Sequence, residues 1–227
     1  IENHKELFYD ILDFLLPEEK VNRVYEGIKN FEIRYGLKYD QPLIRIRVLD
    51  EYLQQHYFSG FNDLSIPVEK FNTLATPVRN VIILENKTNY SNIMNFLTLP
   101  QLKSTLAVFG SGNRVNTLKN AAWLASVNVY YWGDLDVQGF QILSQLRAYH
   151  STIKSVLMDD ETLNSFNDDW GEGTQTTVTD PGNLTRDEQM LYNMLKEKNI
   201  RLEQEKIGYD FVKEKLNRHV FNVTIPG

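Results

Sequence analysis

Cysteine is absent from the 227 residues, which excludes disulfides, thiolate nucleophiles and cysteine-based zinc sites together and fits the cytoplasm. Histidine is scarce: His4, His56, His150 and His219 are dispersed without metal-ligand spacing and read as surface or packing residues. No apolar run approaches the roughly 20 residues of a membrane span. The opening IENHKELFYD reads as an amphipathic helix with acidic residues rather than a signal peptide. It also lacks an initiator Met, as a fragment of a longer protein would. An excess of basic charge is missing too, since the net charge is −6 and the pI about 5.3, which argues against a protein that coats DNA by electrostatics alone. A global sum hides local patches, however, and a carboxylate metal site would itself contribute negative charge.

What is present is ordinary globular composition, 42% hydrophobic and 24% charged, enough for one main domain and an appendage. No internal repeat or low-complexity tract interrupts it. From Lys5 to Tyr35 apolar residues recur at helical spacing, with Pro17 beginning a second helix, so residues 1–40 read as a helical arm. Ile44, Ile46 and Val48 then alternate with Arg45, Arg47 and Leu49, a strand with one buried face. Its arginine face is a solvated edge or a phosphate-facing surface.

After a loop through Pro67 and Pro77 the chain alternates strand and helix: strand Val81–Leu84 ending in Glu85, helix Asn89–Leu99, strand Leu106–Phe109, helix Asn113–Ser126, strand Val127–Trp132, helix Gln138–His150 and strand Ile153–Leu157. Such alternation implies a parallel sheet with helices on both faces, centred on residues 81–158 of a domain spanning 41–227. Residues 159–184 are acidic and turn-rich, hence loop. Thr185 opens a capping-box helix through Lys198, and Arg201–His219 reads as a last helix.

Glu85 closes the first strand of this unit, and Asp134 and Asp136 follow the third. A 2-1-3-4 strand order would make those strands neighbours and bring all three carboxylates to the strand ends where α/β folds bind ligands. Like charges raise one another's pKa unless a cation neutralises them, and an all-oxygen cluster suits Mg²⁺ or Mn²⁺. A phospho-acceptor or a purely structural cluster are the alternatives. Gly110 to Arg114, GSGNR, enters a helix and offers backbone N–H groups to a phosphate or merely turns tightly. Lys87 and Arg114 would be cationic companions there. None of the 12 tyrosines stands in a context that separates a transesterifying nucleophile from packing.

The runs ILENKTN, VFGSG, YYWGDLDVQGFQILSQLR, SVLMD and RLEQE, together with PLIRIRVLD upstream, resemble the C-terminal domain of the JetD family, nuclease subunits of Wadjet plasmid-defence systems, over about residues 40–215. The resemblance implies a Toprim-type fold, a four-stranded parallel sheet between helices, related to the topoisomerase VI A subunit. It implies a Mg²⁺-dependent DNA endonuclease in which Glu85 is a metal ligand or general acid/base and Asp134 and Asp136 are metal ligands. Glu203 and Glu205 of RLEQE become weaker candidates near the site. Double-stranded DNA, a second copy in a homodimer and a condensin-like SMC complex are the implied partners, in a bacterial cytoplasm. The N-terminal region that would dock the SMC partner is expected to lie outside this sequence. A topoisomerase-like transesterase and a non-catalytic DNA- or SMC-binding module remain as other readings.

Overall fold

A computed structural model describes residues 2–37, 41–86, 90–111 and 115–221. The chain divides into two compact units, residues 1–42 and 43–227.

In the first unit, helix α1 (Lys5–Leu15) packs Phe8 and Leu12 with Val21, Phe31 and Tyr35. The second helix expected from Pro17 does not form. Pro17 caps a single 3-10 turn, the chain wanders to Gly27 at φ +81°, and a 3-10 turn at Ile28–Asn30 leads into one short α-helix, Phe31–Arg34 (α2). A left-handed glycine interrupts the helical path, which the apolar spacing alone does not reveal. The buried Arg34 guanidinium instead ties this unit together through both carboxylate oxygens of Asp13, at 2.9 and 2.5 Å.

The second unit runs β1 (Leu43–Val48), α3 (Glu51–Tyr57), β2 (Asp63–Pro67), α4 (Val68–Asn72), β3 (Asn80–Asn86), α5 (Tyr90–Thr98), β4 (Thr105–Ser111), α6 (Val115–Leu118), β5 (Asn128–Trp132) and α7 (Val137–Tyr149). It continues through β6 (Lys154–Ser155), α8 (Asp160–Ser165), β7 (Gly171–Glu172), α9 (Arg186–Lys198), β8 (Ile200–Arg201) and α10 (Tyr209–Phe221). The main sheet has six strands, not four, in the order β2-β1-β4-β3-β5-β6. Strands β4, β3, β5 and β6 are parallel, which is the 2-1-3-4 order, while β1 and β2 join antiparallel at one side.

The strands follow from their sequence. Val81, Ile82, Ile83 and Leu84 are all almost completely buried, as a strand covered on both faces requires. Ile83, Val108 and Tyr131 share a cavity with Leu118, Ile142 and Leu146, which places α6 and α7 on one face. On the other face Arg47 donates to the carbonyls of Phe96 and Leu99, at the C-terminal end of α5.

Several expectations are corrected. The loop through Pro67 and Pro77 contains α3, β2 and α4, because Leu64 and Ile66 pair across to β1. The helix Asn113–Ser126 shortens to α6 and a 3-10 turn, Ala122–Ser126, as Ala121 and Leu124 sink into the core and Trp123 Nε1 donates to Phe71 O. The fourth strand is only β6, since Leu157 turns away at φ +59°. The loop 159–184 includes α8, capped by the Asp159 carboxylate, which accepts from Thr162 N at 2.7 Å. Residues 200–208 form a strap in place of the expected α-helix, with strand at Ile200–Arg201 and a single 3-10 turn at Gln204–Lys206, and α10 begins only at Tyr209.

Candidate functional site

The parallel register sets Leu84 beside Trp132, so Glu85 projects from the end of β3 next to the turn that leaves β5. That turn, Gly133 to Asp136, begins where the apolar run of β5 stops. Glu85, Asp134 and Asp136 are all buried, with exposures of 4%, 3% and 1%. Glu85 Oε2 receives two donors from the β5 side: the Tyr131 hydroxyl and the Asp134 amide, each at 3.2 Å. Asp136 caps α7, accepting from Gly139 N at 2.7 Å, the N-terminal role for which aspartate is favoured.

A strap from the far end of the chain closes over this turn. Leu135 and Leu202 exchange backbone hydrogen bonds at 2.9 and 3.1 Å. Gln204, fully buried, donates its amide to Asp134 Oδ1 at 3.0 Å and its side-chain Nε2 to Trp132 O at 2.6 Å. Within RLEQE the polar residue that these bonds tie to the turn is thus Gln204, not the glutamates on either side of it.

The turn's amides are committed. Gly133 N donates to Met158 Sδ at 3.3 Å, Asp134 N to Glu85, and Leu135 N to Leu202 O. They point to three different partners, so they do not form the convergent nest that cradles a phosphate.

The field of those carboxylates is visible at Tyr131. Burial pushes its phenol well above the ordinary value; the Glu85 charge and hydrogen bond add to this, followed by the charges of Asp134 and Asp136. All three carboxylates thus act on one buried side chain. Close packing completes the site, for a Cβ on Gly133 would stand 2.6 Å from Tyr131 Oη and 2.9 Å from Glu85 Oε2.

Other candidates are placed differently. Gly110 lies within β4, in register with Glu85, rather than in a phosphate loop. Gly112, Arg114 and Lys87 lie outside the described residues. Arg45 pairs with Asp63 across β1 and β2, with its guanidinium 5.6 Å from the Phe96 ring, and Arg47 is taken up by its two carbonyls. Glu203 is ion-paired to Arg201 on the strap, and Glu205 lines a cleft with Trp132, Asn95 and Thr98.

Among the described residues no three His, Asp or Glu side chains converge as a closed metal cage. The donor set nonetheless suits a hard cation in kind: Glu85 and Asp134 are joined through the Asp134 amide, and Mg²⁺ is usually held by one or two carboxylates with waters and phosphate completing its shell.

No curated protein matches the chain. Residues 36–216 match the family described as Wadjet protein JetD, C-terminal, and the chain belongs to that family.

Proposed function

We propose that the chain is a Mg²⁺- or Mn²⁺-dependent DNA endonuclease of Toprim type, acting in a Wadjet anti-plasmid system beside a condensin-like SMC complex and as a homodimer. Support comes first from the meeting of Glu85 and Asp134 at the carboxyl ends of adjacent parallel strands, where ligands bind in such folds. The second support is that the charges of Glu85, Asp134 and Asp136 all act on the buried Tyr131 phenol, a grouping of like charges that a bound cation would relieve.

Glu85 and Asp134 would hold that cation, with Asp136 fixing the turn through its cap on α7. Bound there, a divalent cation would neutralise phosphate charge and lower the pKa of a coordinated water. The protein's own part is geometric. Glu85 is oriented by two donors on one oxygen, Asp134 by the strap, and the low exposure of both keeps bulk water from screening them. Hydrolysis is favoured over transesterification because the tyrosine beside the carboxylates, Tyr131, is 1% exposed and its phenol is held protonated.

The test is cleavage of supercoiled plasmid with Mg²⁺ or Mn²⁺ by the wild type, Asp134→Ala and Glu85→Gln, with EDTA as control. Each substitution should lower the rate at least a hundredfold, on the order of an essential charge-stabilising group, with circular dichroism unchanged. Undiminished cleavage by both variants would sink the reading. A covalent protein–DNA adduct would favour the transesterase, and DNA binding without cleavage by the full-length protein would favour the non-catalytic module.

A further inference from the structure

The geometry points to Tyr131 as a positioning residue that holds Glu85 in its metal-binding orientation, an inference that rests on the metal-dependent reading above. Tyr131 is a β5 core residue, 1% exposed, whose ring faces the cavity between the sheet and helices α6 and α7. Phenylalanine would fill that space equally well. A buried hydroxyl costs stability unless it is hydrogen-bonded, and the acceptor of this one is Glu85 Oε2 at 3.2 Å.

The bond belongs to a two-point clamp. Tyr131 Oη and Asp134 N come from the same strand and its turn, three residues apart, and both meet the one oxygen. A carboxylate gripped in this way cannot rotate independently of the turn that carries Asp134. Gly133, between the two donors, makes the clamp sterically possible, because a Cβ there would strike both Oη and Oε2. Tyr131 therefore couples the β3 ligand to the β5 ligand, and the separation of those two groups is what a cation would sense.

Outer partners that orient a ligand are typically worth 10- to 100-fold in metal affinity. The experiment measures Mn²⁺ binding by electron paramagnetic resonance in the wild type, Tyr131→Phe and Glu85→Gln, alongside thermal unfolding without metal. The expected result is loss of binding in Glu85→Gln and a Kd raised about 10-fold or more in Tyr131→Phe. In cleavage, excess metal should restore the Tyr131→Phe rate towards wild type, separating affinity from turnover.

Wild-type Mn²⁺ affinity in Tyr131→Phe, with binding lost in Glu85→Gln, overturns the inference and spares the metal site. A wild type that binds no Mn²⁺ overturns the metal reading itself. Should Tyr131→Phe fail to fold, wild-type protein labelled with 3-fluorotyrosine carries the test by ¹⁹F resonance on adding Mg²⁺. A buried tyrosine signal that shifts in the wild type and not in Glu85→Gln supports the clamp, and no shift in either overturns it.

Discussion

At Gly133 one methyl group would separate the two halves of the site. Its Cβ would lie 2.6 Å from Tyr131 Oη and 2.9 Å from Glu85 Oε2, and neither neighbour is the loose end of an exposed side chain. Gly133→Ala is expected to lower stability by about 1–3 kcal/mol, the range for overpacking a close-packed interior, and to abolish Mn²⁺ binding. Thermal unfolding with and without Mn²⁺ checks both, and an unchanged midpoint would show that the clamp yields. Gly139 is more tightly constrained still, since a Cβ there would come 2.2 Å from the Asp134 carbonyl oxygen. At this scale the placement of Glu85 at the end of β3, and of Asp134 and Asp136 just after β5, was legible in the sequence, because each follows an apolar run and a strand end has a defined place in a parallel sheet. Tyr131 was not, for within an aromatic run it reads as core, and its second role depends on a carboxylate 46 residues away. Gln204 and Met158 were hidden for the same reason: their contacts with the turn arise from tertiary packing and leave no local pattern.

Among the elements, the central parallel strands were easiest to read, and the cause is physical. A buried parallel strand needs an unbroken apolar run, which β3, β4 and β5 have. A helix needs a continuous backbone path as well as periodic apolar residues, and the sequence shows only the second. The interruption at Gly27, the burial of Ala121 and the strap at residues 200–208 each break a periodic stretch by local geometry or tertiary pairing. The capping box at Thr185 was legible and proves to do more than start α9. Its Glu188 accepts from Thr185 N at 2.8 Å, Arg147 Nη1 and Nη2 at 2.5 and 2.9 Å, and the Ser155 hydroxyl at 2.6 Å, joining α9 to α7 and β6. Burial alone would raise the Glu188 pKa, but the guanidinium, hydroxyl and amide outweigh it and hold the carboxyl below its ordinary value of 4.5. A depressed folded-state pKa stabilises the protein above the unfolded pKa, and the contribution disappears as pH falls through the folded one. Stability should therefore decline on acidification below about pH 4.5. Glu188→Gln should flatten that decline and cost about 3 kcal/mol at pH 7, the low end for breaking a buried pair, since Arg147 keeps the carbonyls of Ile153 and Asn183. Urea titrations at a series of pH values measure both effects, and identical pH slopes in the two proteins would contradict the assignment.

For the whole molecule, 30 acidic residues against 24 basic ones give a net charge of −6, and several cations are already spent inside the fold. Arg34, Arg45 and Arg147 are each paired to a carboxylate, and Lys215 sits between Asp159 and Glu161. A duplex is itself a dense polyanion, so a net negative charge weakens the long-range attraction between the two. If DNA is the substrate, a divalent cation held at Glu85 and Asp134 should strengthen the attraction. Binding should then rise with divalent concentration before general screening reverses it, the opposite of the monotonic salt weakening of a basic DNA-binding protein. Fluorescence anisotropy of a labelled duplex in Ca²⁺, which provides the charge while chemistry is suppressed, should show association that EDTA removes and that Asp134→Ala weakens at least tenfold. Equal affinity in EDTA and Ca²⁺ would mean that DNA is held by a basic surface remote from Glu85 and Asp134, and the carboxylate edge would then have no part in recruiting it.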